Sequence, residues 1–300
     1  MRRTLLLMIA ALAGWQPPPR AQAPAAPPDT EIFLASFSAR GQSAVARPVN
    51  ITHTPGYDNQ PSFTSDGAGI YFTSNRGASQ TDIYRYDIAA ETTARVTDTP
   101  EGEYSPTVTP DGRHLSVIRV EADGTQRLWQ FTLEGTQPAL VLERVKPVGY
   151  HAWADDHTLA LFVLGEPATL QLADTRSGDA VEIARGILRS VLRVPRSGTI
   201  SFVDKDEDGS LMVRELDPKT RAVTTIVAAV AGAKEADLAW TPDGQLLMAE
   251  KDVLYGYKRD AKGWTRLADL AALGLHGVTR LAVSPKGDRI AIVAAGTPSR

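Results

Sequence analysis

Twelve residues at 204–215, DKDEDGSLMVRE, form the densest run of potential ligands in the chain. Asp204, Asp206 and Asp208 alternate, Gly209 follows, and Glu215 closes the window in the order of an EF-hand calcium loop. There, hard carboxylate oxygens surround Ca2+ and the glycine makes the sharp turn. Two features count against that reading. Position nine is Met212, which offers calcium no oxygen, and the apolar runs GTISFV and SLMVREL flank the loop where helices belong. The run therefore reads first as a solvated acidic hairpin tip with Gly209 at positive φ. If calcium binds, Asp204, Asp206 and Asp208 are its ligands, and no other cofactor is expected.

Other chemistries lack their residues. The 300-residue chain has no cysteine, which excludes disulfides, thiolate nucleophiles and cysteine-ligated zinc. The histidines are His53, His114, His151, His157 and His276, and none pairs at metal-ligand spacing. No P-loop, H-E-x-x-H, G-x-S-x-G elbow or dinucleotide fingerprint occurs, so no enzyme is expected. A net charge of −3, without a basic run carrying interleaved aromatics, points away from nucleic acid.

The elements that must position any site come in repeats. Six stretches share one form: PSFTSDGAGIYFTSNR (61–76), PTVTPDGRHLSVIRV (106–120), HAWADDHTLALFVL (151–164), LRVPRSGTISFVDK (192–205), LAWTPDGQLLMAEK (238–251) and LAVSPKGDRIAIVA (281–294). Each is an apolar segment, a tight polar turn and a second apolar segment. The turn pairs recur about every 44 residues, the spacing of a propeller blade. Asp-Gly at such points supplies the positive φ a hairpin needs. Third and fourth strands follow, as in DIYRYDI with TTARVT and LMVRELD with VTTIVA. Four antiparallel strands per repeat predict an all-β, six-bladed β-propeller. The last repeat has only two strands, 279–283 and 289–294. The missing pair stands at the other end, EIFLASFS (31–38) and ARPVNIT (46–52). N-terminal strands joining the C-terminal blade would close the ring and remove a sheet edge.

Before the ring lies a leader. MRR is a positive n-region and TLLLMIAALAG an apolar h-region too short to span a bilayer. AQA at 21–23 has a cleavage-site form, and ALA at 11–13 is the alternative. The expected organisation is a signal peptide at 1–23, a Pro/Ala-rich linker at 24–30, the propeller at 31–296 and a tail at 297–300. Export to the periplasm or medium of a bacterium is expected, with no transmembrane span.

The stretch NITHTPGYDNQPSFTSDGAGIYFTSNRGASQTDIYRYDIAAETTARVTDTPEGEYSPTVTPDG resembles the repeats of TolB-type propellers. Phe63 to Gly67, Ser74 to Arg76 and Asp82 to Tyr84 carry the likeness, and Thr109–Gly112 and Thr241–Gly244 match its turn. The resemblance covers roughly 31–296. TolB itself is similar in its propeller but carries an α/β domain before it, and here the propeller is expected directly after the leader. The resemblance implies a monomeric periplasmic propeller that binds a protein or peptide of the cell envelope.

Propellers bind at a channel mouth, and the residues before each first strand face it in this repeat. Aligned on the turns, they include Tyr57, Asp58, Glu103, Tyr104, Tyr150, His151, Arg189, Glu235, Asp237 and Arg280. Tyrosines and arginines with carboxylates are the usual anchors of polypeptide recognition. Two other functions stay open: a hydrolase of small esters or lactones with an axial metal, which needs converging carboxylates or a His lining the channel, and a structural scaffold, which needs a mouth filled by its own side chains.

Overall fold

Each predicted turn is a small hydrogen-bonded box. In the second repeat, the Thr109 hydroxyl donates to Asp111 (2.6 Å), while the amides of His114 and Arg113 donate to Thr109 Oγ1 (3.1 Å) and Asp111 Oδ1 (3.0 Å). Thr64 with Asp66 and Thr241 with Asp243 repeat the pattern. Gly67 and Gly287 take φ of 73° and 71°, a left-handed conformation that costs a side-chain-bearing residue on the order of 1 kcal/mol.

These boxes join the inner two strands of six antiparallel sheets of four. A computed structural model describes residues 28–39, 43–76 and 80–296. Blade 1 runs Asp58–Phe63, Gly69–Ser74, Asp82–Asp87 and Thr92–Arg95; blade 2 runs Gly102–Val108, His114–Val120, Gln126–Thr132 and Ala139–Leu140. Blade 3 runs Val148–Trp153, Thr158–Val163, Thr169–Asp174 and Asp179–Arg185; blade 4 runs Val191–Arg193, Ile200–Lys205, Leu211–Leu216 and Val223–Ala228. Blade 5 runs Leu238–Trp240, Leu246–Glu250, Val253–Tyr257 and Thr265–Asp269. Blade 6 is built from both chain regions: Arg280–Val283 and Arg289–Ala295, then Thr30–Phe37 and Val45–Asn50. The N-terminal strand pairs in register with the last one, Ile32 opposite Val293 and Leu34 opposite Ala291, so the ring closes as the repeat count predicts. The leader assigned to 1–23 and the tail at 297–300 lie outside the described residues. Among the described residues, no helix is long and apolar enough to cross a membrane.

The core is divided into six slabs, each between neighbouring blades. Phe72 and Ile70 of blade 1 meet Ile32 and Val293 of blade 6; Phe202 of blade 4 meets Leu170 and Phe162 of blade 3. Phe72, Phe131 and Phe202 are fully buried, and each contributes roughly 2–3 kcal/mol of hydrophobic stabilisation. Polar ties cross the same seams. The indole of Trp153 donates to Ser116 Oγ on blade 2 (2.9 Å), and that of Trp240 to Ser201 Oγ on blade 4 (2.8 Å). The innermost strands touch in cyclic order, so blades 1 and 4, 2 and 5, and 3 and 6 face one another across the axis.

Candidate functional site at the channel mouth

One residue per blade, five to seven positions before the turn pair, forms a first ring: Gln60, Ser105, Tyr150, Ser190, Asp237 and Arg280. All six line the axial channel, a cavity of about 590 Å³. That volume falls in the range of ligand sites, about 300–1,000 Å³. Two residues further along, Ser62, Thr107, Ala152, Leu192, Ala239 and Ala282 form a second, smaller-sided ring below the first. The mouth is thus polar and charged, and the throat beneath it is narrow-chained and mostly apolar.

Backbone irregularities place the first ring. Blades 1, 2 and 3 each carry a bulge at this point, between Asn59 and Ser62, Tyr104 and Thr107, and Val148 and Tyr150. Gln60 and Ser105 hold φ of 57° and 55° just before a proline. Such conformations need support from their surroundings. Gln60 supplies it, its Oε1 accepting from the Ser105 amide (2.7 Å) and from Thr73 Oγ1 (2.8 Å), which stitches blade 1 to blade 2.

The aromatic and charged candidates then sort by place. Tyr57, half-buried, meets Tyr104 edge to face with centroids 6.5 Å apart. Burial pushes the Tyr57 phenol up to about 12, with Arg280 pulling it the other way. Arg189 donates to both oxygens of Asp237 (3.2 and 2.8 Å) and to Glu235 (3.1 Å), the latter exposed on the rim. Arg280 donates to the Tyr150 hydroxyl (2.8 Å) and lies 4.9 Å from its ring centroid. Asp237 is the one carboxylate among the described residues lining the channel, and Arg189 neutralises it.

Of the other candidates, Tyr57, Tyr104 and Glu235 lie outside the channel lining, Asp58 and Glu103 face elsewhere, and His151 lines the channel with a ring already engaged. Asp58 is buried under the loop that precedes blade 1, accepting from Thr54 Oγ1 (3.0 Å), and burial raises its pKa. Glu103 is fully buried under the next loop, bonded to Thr97 (3.1 Å) and Thr99, with Arg119 Nε 3.7 Å away. Burial raises it to about 7 against the hydrogen bonds of Thr99 and Thr97. Neither lines the cavity. Both hold the loops that carry Tyr57 and Tyr104. His151 does line the channel wall, but its Nε2 is engaged by Ser116 (2.8 Å) and its Nδ1 has no partner. Burial lowers its pKa to about 3, so the imidazole is neutral.

The acidic run 204–208 caps the hairpin between the second and third strands of blade 4, on the same side as the mouth. Its carboxylates do not converge. Asp204 binds Arg214 (2.9 Å), Asp206 lies 3.7 Å from the same guanidinium, and Asp208 accepts from the Ser210 amide (2.9 Å), which lowers its pKa. Glu215 is directed to Thr199 and Arg259. Among the described residues, no group of three or more His, Asp and Glu is placed to hold a metal ion.

Two signals went unread in the residue pattern. The bulge of blade 1 puts Gln60 on the channel wall, one residue beyond the segment 57–59 that the alignment on the turns selects, and the bulge of blade 2 puts Ser105 there rather than Glu103 or Tyr104. X-Pro at 60–61 and 105–106 is the mark of that shift. The second signal is T-x-T-P-x-x-[D/E], at Thr52 to Asp58 and Thr97 to Glu103. It pairs hydroxyls with an acid and marks those two carboxylates as loop clasps.

No family model matches the chain. An uncharacterised Agrobacterium fabrum protein, Atu1656, is 32% identical over 75 residues, a match spanning a quarter of the chain and a quarter of that relative's length. An Agrobacterium tumefaciens protein assigned as TolB superposes with a TM-score of 0.70 at 16% identity, over 90% of this chain and 99% of that one. TolB from Acinetobacter baumannii gives 0.58 at 14%, over 89% of this chain and 64% of that one. An oligogalacturonate lyase solved with manganese gives 0.59 at 14%, over 91% and 92%. At such identities the likeness is one of fold: the chain folds as a six-bladed propeller similar to the TolB propellers.

Proposed function

We propose that this protein is an exported, non-catalytic propeller that binds a protein or peptide segment of the cell envelope at its channel mouth. One observation carries the reading: Tyr150, Arg189 and Arg280, from three blades, line the opening of a channel of about 590 Å³, and Tyr57 and Tyr104 pack edge to face at the entries to blades 1 and 2. Tyr and Arg are the side chains that most often dominate polypeptide interfaces. The throat of small side chains below admits an inserted residue. The likeness to TolB propellers supports the same reading at the level of fold, and the leader supports export.

The test is selection of binders from a displayed random peptide library on the wild-type protein and on Tyr57→Ala/Tyr104→Ala. Enriched peptides are expected to lose tenfold or more in affinity on the double variant. Peptides that bind both proteins equally, or no enrichment at all, would remove the mouth as a polypeptide site.

A further inference from the structure

We propose that Arg280 is a carboxylate receptor in the mouth, and that its bond to Tyr150 is a latch which an arriving carboxylate displaces. The inference rests on the channel-mouth reading above and adds the chemical class of the ligand: an acidic peptide.

Arg280 and Tyr150 occupy the same ring position on blades 6 and 3, and those blades face one another across the axis. The hydrogen bond between them, 130 residues apart in sequence, is therefore a bar across the mouth. The guanidinium also sits over the Tyr150 ring, which Phe162 backs edge to face.

The two arginines of the mouth differ in what they hold. Arg189 is satisfied, with a bidentate bond to Asp237 and a further bond to Glu235. Among the described residues, no carboxylate lies within 4.0 Å of Arg280; its polar side-chain partner is one neutral phenol. A guanidinium carries five donors in a planar fork. A half-buried charge held by a neutral acceptor has lost part of its hydration without an opposite charge to offset the loss. A carboxylate would offset it, with two parallel charge-assisted bonds each about twice as strong as a neutral one. Tyr150 cannot match that, so exchange favours the carboxylate. Arg189 with Asp237 and Glu235 leaves one net negative charge beside the adjacent blade, which favours a monoanion over a doubly charged phosphate.

Exchange also opens the throat. With Arg280 drawn to a ligand, the bar is removed, and the ring of Ser62, Thr107, Ala152, Leu192, Ala239 and Ala282 becomes reachable.

The test uses fluorescein-labelled synthetic nonapeptide libraries on the full chain. One set is C-terminally amidated with Asp and Glu among its variable residues, and the second replaces these by Asn and Gln. The third is the second made as free acids, which separates a C-terminal carboxylate from a side-chain one. Wild-type protein is expected to bind the first or third set at least tenfold more tightly than the second. Arg280→Gln should abolish that discrimination, and Arg280→Lys should restore part of it. Tyr150→Phe should tighten acidic peptides several-fold, because the latch loses its acceptor. This second variant also serves if Arg280→Gln fails to fold by circular dichroism. Binding that ignores carboxylates while still depending on Tyr57 and Tyr104 overturns the inference and leaves the channel-mouth reading in place. Weaker acidic-peptide binding in Tyr150→Phe overturns the latch. Failure of all three sets to bind overturns both readings.

Discussion

Glu103→Gln should change how stability depends on pH. Glu103 is fully buried, and its pKa rises from an ordinary 4.5 to about 7, chiefly through burial. The folded protein thus keeps a proton that the unfolded chain releases above about pH 4.5. The stability this proton carries is fully present below that value and is lost as pH rises through 7. At about 1.4 kcal/mol per unit, the span from 4.5 to 7 amounts to roughly 3 kcal/mol. Glutamine does not titrate, so any constant cost of the substitution cancels in the pH difference. Urea unfolding of both proteins at four pH values between about 4.5 and 8 measures it. The variant should gain roughly 3 kcal/mol on the wild type from the acid end to the alkaline end. Glu103 also accepts from Thr97 and Thr99 on the loop before Tyr104, so the substitution is made at one wall of that loop. A wild type and variant that run parallel across the range would refute the argument, and would show that the two threonines and Arg119 hold Glu103 as an anion.

His151 works in the opposite direction. Its folded pKa of about 3 lies below the ordinary 6.5, so its contribution is present above 6.5 and is lost as pH falls, by about 1.4 kcal/mol per unit; His151→Gln should flatten that acid limb in the same unfolding series. Trp240→Phe removes the donor to buried Ser201 across the blade 4–blade 5 seam and should cost about 1–3 kcal/mol, read as a lower urea midpoint with an unchanged slope. Gly135→Ala and Gly124→Ala form a pair, since both glycines sit near φ of 80°. A Cβ at 135 would collide with the Val96 carbonyl whereas one at 124 meets open space, so thermal unfolding should show a loss of about 1 kcal/mol at 124 and clearly more at 135.

The blade count, the strand order and the closure by N-terminal strands were legible because local chemistry repeats. A Thr-x-Asp-Gly box forms its own turn whatever surrounds it, and six of its relatives in series leave few alternatives. The mouth was legible in part. Tyr150, Arg189, Asp237 and Arg280 line the channel, whereas Tyr57 and Tyr104 pack against each other outside its lining. Asp58 and Glu103 do not line it either, because neighbouring threonines clasp them beneath their loops. A bulge moved Gln60 into the ring, and a bulge depends on pairing with the next strand. The bar between Arg280 and Tyr150 depends on which blades stand opposite, and no local window holds that information. The acidic run shows the reverse case: an apparent ligand pattern whose first two carboxylates are drawn to Arg214 across the hairpin.

The central claim, that the mouth contacts a polypeptide, is tested most directly by placing a photo-crosslinking residue at Tyr104 in cells producing the full chain. A matched position at Asp111, on the opposite face of blade 2, serves as the comparison. A discrete crosslinked polypeptide at 104 and none at 111 is the predicted result. Crosslinks at 111 with none at 104 would contradict the account.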